Sequence, residues 1–218
     1  MSTKEIAEKI SALSGSRNPR EVFSDWVTCM AISIANWGSR RDDIWKLRED
    51  TYLNLMKHYT KNSKELADLM GQIVLELERD PRDVLGEIFM SSELGSSKQG
   101  QFFTPFQLSE LTARLTIADL KPDENGVISM TEPSCGSGGM CIAAYKELVI
   151  KGNLPQSKLH IVCQDIAWMC VYMCYVQLSL LGINAVVVQG DTLSEPYVPG
   201  KTPKERILLT PRAKGLII

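Results

Sequence analysis

Between a short apolar run, Val127 to Thr131, and a helical stretch, Gly138 to Lys151, the chain reads Glu132-Pro133-Ser134-Cys135-Gly136-Ser137-Gly138-Gly139. Glycine adopts backbone conformations that other residues avoid, so this segment must be a tight turn rather than the interior of a helix or strand. A strand, a glycine-rich turn and a helix in that order open a βαβ unit, whose turn lets a ligand approach the backbone closely. A phosphate loop would continue with Lys and then Ser or Thr; Met140 and Cys141 stand there instead, which excludes a Walker A motif. A purely structural strand-to-helix connection is the competing interpretation of the turn taken alone.

The sequence on either side differs in texture. Residues 1–95 carry helical periodicity: Glu21 to Trp37, Asp42 to Tyr59, Ser63 to Leu77 and Arg82 to Met90 each place apolar residues three and four apart. Pro19 precedes the first of these helices and Gly38 follows it, and Ser63 is a plausible capping residue for the third. From Ser91 a Ser- and Gly-rich stretch leads into alternating signals. Helices are predicted over Thr104 to Leu120, Gly138 to Lys151 and Ile166 to Leu181. Strands are predicted over Val127 to Thr131, Leu159 to Gln164 and Ala185 to Gln189. This alternation predicts an α/β half with a parallel sheet over residues 96–218, preceded by an N-terminal helical domain over residues 1–95.

Net charge excludes one class of protein. The 218 residues carry a formal charge of -2, so no global basic field exists to attract nucleic acid. DNA binding would need a local patch, for which Arg17 to Arg20, Arg40 with Arg41, and a tail bearing Lys201, Lys204, Arg206, Arg212 and Lys214 are candidates. Each taken separately reads first as a solvated face. The six cysteines lack the spacing of a disulfide framework or a metal site and read as buried thiols of a reducing, cytoplasmic compartment. The first eleven residues are charged, without the apolar core of a signal peptide, and no apolar run is long enough to span a bilayer.

Three further motifs flank the glycine turn. Asp165 follows the second strand, where an acidic side chain can accept both hydroxyls of a ribose or, equally, cap the next helix. Gly190-Asp191-Thr192-Leu193 follows the third strand; Asp191 can accept from an adenine amine or simply form a turn. Gly100-Gln101-Phe102-Phe103-Thr104-Pro105 precedes the first strand and, on its own, reads as an aromatic packing loop leading to a helix.

In this order and spacing the four motifs resemble those of the γ-class N6-adenine DNA methyltransferases, above all the modification subunit of type I restriction-modification systems. That family reads GQFYTP, then DPACGTGGF, then an acidic residue after the second strand, then GDTL. Asp83 to Phe89 also resembles its lead-in helix, so the likeness runs from Asp83 to Ser194. The resemblance implies a Rossmann-like S-adenosylmethionine (SAM)-dependent methyltransferase domain. It implies that Thr104 and Pro105 lie against the methionine end of SAM. Glu132, Pro133, Cys135, Gly136 and Gly138 would form the floor, Asp165 would hold the ribose, and Asp191 the adenine amine. Glu132 stands where the family carries Asp.

No Asn/Asp-Pro-Pro-Tyr/Phe tetrapeptide, the family's catalytic signature for a flipped adenine, occurs in the chain. Arg206 to Thr210 is predicted as a fourth strand, which would end in Thr210-Pro211-Arg212 where that signature belongs. No residue is therefore assigned a catalytic or metal-binding role. The methyltransferase domain is expected to be partial and inactive alone, with DNA as a candidate ligand and a second copy or a complementary methyltransferase chain as its partner. The competing expectation is a non-enzymatic regulatory protein with a vestigial nucleotide pocket.

Overall fold

A computed structural model describes residues 1–91, 103–117, 120–152 and 154–216. Gly100, Gln101 and Phe102 of the aromatic motif lie outside the described residues. The helical front consists of α1 (Thr3–Leu13), α2 (Pro19–Asn36), α3 (Asp43–Met56), α4 (Ser63–Arg79) and α5 (Val84–Met90). Then come α6 (Phe106–Ile117), β1 (Ile128–Glu132), α7 (Gly139–Tyr145), β2 (Leu159–Asp165), α8 (Trp168–Leu180), β3 (Asn184–Gln189) and β4 (Ile207–Leu209). Helix α7 runs on into a single wider π-helical turn, Lys146–Lys151, rather than remaining α-helical to Lys151. Among the described residues no helix is long and apolar enough to cross a membrane.

Helix α1 falls in a segment for which no helix is predicted from periodicity. Its start is set locally: the Ser2 hydroxyl accepts from the Glu5 N–H, and the Glu5 carboxylate accepts from the Ser2 N–H at 2.7 Å. Ile6, Ala7 and Ile10, spaced three and four apart, then bury one face. Asn18 and Pro19 start α2 in the same local way, the Asn18 side chain accepting from the Arg20 N–H.

Three strands are parallel, in the order β1-β2-β3, with Ile128 opposite Leu159 and His160 opposite Asn184. The fourth departs from expectation. Strand β4 pairs antiparallel with β3, Val187 facing Leu208, on the edge away from β1. A parallel partner would need a crossover of a dozen or more residues, usually a helix. The segment Gly190 to Pro203 forms only turns, so the chain doubles back. Thr210 consequently sits at the start of β3, where its hydroxyl donates to the Ile183 carbonyl at 2.7 Å and accepts from the Ala185 N–H at 3.0 Å. Thr210-Pro211-Arg212 is thus at the opposite end of β3 from the glycine turn, which corrects the expectation of a catalytic position there.

Helix α8 is the centre of the molecule. Nine of its residues, from Cys170 to Ser179, are buried, and it packs against β2 and β3 on one side and α2 and α5 on the other. One continuous apolar core runs from Ile6 and Phe23 through Val84 and Phe89 to Tyr175 and Leu208. Each large side chain fully buried there contributes about 1.5–3 kcal/mol. The helical front and the sheet are thereby held in fixed register across α8.

Candidate cofactor-binding site

The C-terminal ends of β1 and β2 and the turn after β1 enclose a cavity of about 420 Å³. That is ample for a small organic ligand. Gly136 (φ +53°) and Gly138 (φ +100°) take left-handed conformations, and a side chain on Gly138 would press against the backbone and sulfur of Cys174. The Cys135 N–H donates to the Gln164 carbonyl at 2.9 Å, and Gly138 begins α7, its carbonyl accepting from the Ile142 N–H. The glycines therefore let the chain turn against β2 and α8 with nothing between.

Asp165 ends β2. One of its carboxylate oxygens accepts from the Gly136 N–H and the other from the Ala167 N–H, both at 2.9 Å. It does not cap α8, which begins at Trp168 behind Ala167. The Cys170 thiol also donates to Asp165, so of the roughly four acceptor sites of a carboxylate about one remains for a ligand's hydroxyl. Glu132 ends β1 and accepts from the Ser134 N–H at 3.2 Å; burial pushes its carboxyl above the usual range, partly offset by that N–H.

Of the residues assigned to a cofactor from sequence, Thr104, Glu132, Cys135, Gly136 and Asp165 line the cavity together. Pro105, Pro133, Gly138 and Asp191 do not. Pro105 lies at the entry to α6, its carbonyl accepting from Leu108 at 2.9 Å, and Gly138 sits behind the wall against Cys174. Asp191 bends back onto its own loop: its side chain accepts from the Leu193 N–H at 2.9 Å, and that bond holds its carboxyl below the usual range. The loop is nevertheless tied to the glycine turn, because the Thr192 hydroxyl donates to the Pro133 carbonyl at 2.5 Å.

The cavity also contains a residue that no local motif marks. Asp83, the N-cap of α5, lies in its wall and is 4% exposed. It accepts from the Gly86 N–H at 3.0 Å, from the Gln177 amide at 2.9 Å and from the Ser137 hydroxyl. Gln177 in turn donates to the Ser137 carbonyl at 2.8 Å and accepts from the Leu85 N–H at 3.0 Å. Burial pushes the Asp83 carboxyl up, while its three donors pull it down. A side chain on Gly86 would run into this Asp83–Ser137 pair. Three segments distant in sequence, α5, the glycine turn and α8, are locked by this one network. Only the likeness of Asp83 to Phe89 to a lead-in helix hinted at it.

All six cysteines are buried and none forms a disulfide. Four of them surround the floor: Cys135 and Cys170 face the cavity, Cys141 and Cys163 touch at 3.4 Å beneath it, and burial pushes the Cys170 thiol up.

A cavity at the carboxyl ends of parallel strands, floored by a glycine turn and flanked by an acidic residue, defines a Rossmann-like nucleotide-binding architecture. A solved structure of a putative class I S-adenosylmethionine-dependent methyltransferase from Listeria monocytogenes shares this fold. It has a TM-score of 0.50, 14% identity, and covers 90% of this chain and 54% of that one. The chain belongs to the N-6 DNA methylase family, whose model matches residues 81–211. It is also 27% identical over 144 residues to the methylase subunit of the type I restriction enzyme MpnII from Mycoplasma pneumoniae. That match takes in 62% of this chain, which spans about a quarter of that relative's length: 25%.

Proposed function

We propose that this chain binds S-adenosylmethionine in the cavity beside Asp165. One observation carries the reading: among the described residues the cavity is lined by three acidic side chains, Asp83, Glu132 and Asp165, and by no lysine or arginine. Such a lining favours a ligand bearing positive charge, as the sulfonium and ammonium groups of SAM do, and disfavours a nucleoside phosphate. The remaining acceptor site of Asp165 fits a ribose hydroxyl. Thr104 and Phe103 also line the cavity, the Phe103 ring lying close against Gly136. When bound, SAM supplies an activated methyl group; the protein's own part is to hold and orient it and to exclude water. Asp191 would reach the adenine amine only if the loop at 190–194 turned inward.

The proposal extends to the reaction. Transfer of the methyl group to adenine N6 in DNA is assigned to an assembly in which an Asn/Asp-Pro-Pro-Tyr/Phe element from outside these 218 residues completes the site. Residues 1–95 would serve as the scaffold that delivers Asp83, and residues 96–218 as the cofactor-binding half.

Calorimetric titration tests the first step. SAM should bind with measurable heat, and Asp165→Ala should weaken it about 10- to 100-fold, the worth of hydrogen bonds to a charged group. Absence of heat and of any thermal shift at millimolar SAM would overturn the reading.

A further inference from the structure

A second hollow, of about 510 Å³, lies between the α2–α3 connection and the β4 edge of the sheet. Four cations from separate parts of the chain converge on it: Arg40, Arg48, Lys204 and Lys214. Its lining contains one carboxylate, Asp42, which is committed to capping α3 through the Trp45 N–H at 2.9 Å. Among the described residues no ion pair joins any of the four cations to an acid. The neighbouring acids face elsewhere. Glu49 accepts from the Asn36 amide at 3.0 Å, and Glu205 lines an adjoining hollow that Arg48 also borders, without forming an ion pair with it. Arg206, close in sequence, is already paired with Glu195.

The floor of the hollow is unusual for a surface basic patch. Arg48 is half-buried, and of its five donors one is used in a described hydrogen bond, to the Ile207 carbonyl at 3.0 Å. Lys214 is also half-buried, donating to the Ala35 carbonyl at 2.6 Å and the Ser39 hydroxyl at 2.7 Å. Burial and the nearby Arg48 push the Lys214 ammonium down to about 8. Two cations are thus drawn partly out of water side by side with no ion-pair partner among the described residues, Asp42 acting on Arg48 only from a distance, while Arg40 and Lys204 stand exposed at the rim.

We propose that this hollow binds a phosphate-class oxyanion, free or as the phosphodiester of a nucleic acid backbone. Planar guanidinium groups and ammonium donors suit phosphate oxygens, and an anion would relieve the repulsion at the floor. The proposal is independent of the acidic cavity and of SAM binding.

The test uses the whole chain, with inorganic phosphate and a short DNA duplex as probes at matched ionic strength against chloride. The variant is Arg40→Gln with Lys204→Gln, both rim positions. The control is Lys61→Gln with Lys64→Gln, exposed lysines elsewhere that remove the same charge. Phosphate should raise the melting temperature of the parent and bind about tenfold more weakly to the rim variant, with the control unchanged. Duplex binding lost in the same variant, and competed by phosphate, assigns the anion to nucleic acid; phosphate binding without duplex binding assigns a small anion. Failure of both probes, or equal binding by rim variant and control, overturns the proposal.

Discussion

The two hollows of this protein are chemical opposites within one chain of net charge -2. Among the described residues the first gathers Asp83, Glu132 and Asp165 with no cation, and the second gathers Arg40, Arg48, Lys204 and Lys214 with one acid, itself engaged. They also differ in how charge is kept inside the fold. Asp83 is almost fully enclosed but meets three donors, so its buried carboxyl is satisfied. Arg48 and Lys214 are only half-buried and, among the described residues, have neutral acceptors but no ion-pair partner. A satisfied polar network fixes geometry; an uncompensated charge pair stores an affinity for the missing sign.

Removing Asp83 should break this contrast most severely. Asp83→Ala leaves the Gly86 N–H and the Gln177 amide short of an acceptor in the buried wall of the cavity, and should destabilise the fold by about 2–4 kcal/mol in urea unfolding. Ser137→Ala, which deletes one partner and leaves the carboxyl its other two, should be milder. Equal losses for the two variants would show that the network is not centred on Asp83.

The basic hollow should respond to pH with a definite sign. The Lys214 ammonium, normally near 10.5, is pushed down to about 8 in the folded chain. Between those values the unfolded chain binds a proton that the folded chain has released, so stability should rise with pH from about 8 to 10.5. Discounted for solvent screening at a half-exposed group, the gain is on the order of 1 kcal/mol. The difference between parent and Lys214→Met across that range isolates it from other titrating groups; the variant should lack the rise, and phosphate should reduce it in the parent.

The smallest effect belongs to the rim. Arg40→Gln, at an exposed position, should change unfolding free energy by less than about 0.5 kcal/mol, so that any loss of anion affinity reports binding rather than folding.

The candidate cofactor cavity was partly legible because its central elements are local. Gly136, Gly138 and Asp165 follow directly from strand ends, and a strand followed by a glycine turn leaves the chain few conformations. Thr104 and Glu132 likewise sit where the motif order puts them. Asp191 shows the limit of that logic: Gly190-Asp191 occupies the right place in the chain, yet the side chain satisfies its own loop through Leu193. A short polar side chain next to an unpaired N–H folds onto it readily, and no motif reveals which partner prevails. Helix α1 was missed for a different reason, since its start rests on a two-residue capping exchange rather than on a long apolar stripe.

What the amino-acid order determined by itself is therefore the set of turns, caps and helical stripes, and the glycine turn above all, because sterics and hydrogen bonds between near neighbours settle them. The direction of β4, the entry of Asp83 into the cavity wall and the meeting of Arg40 and Arg48 with Lys204 and Lys214 were decided only in the folded molecule. Those pairings join segments far apart in sequence. Their free energy comes from burying α8 between the sheet and α2, a quantity that belongs to the whole core and to no single stretch of chain.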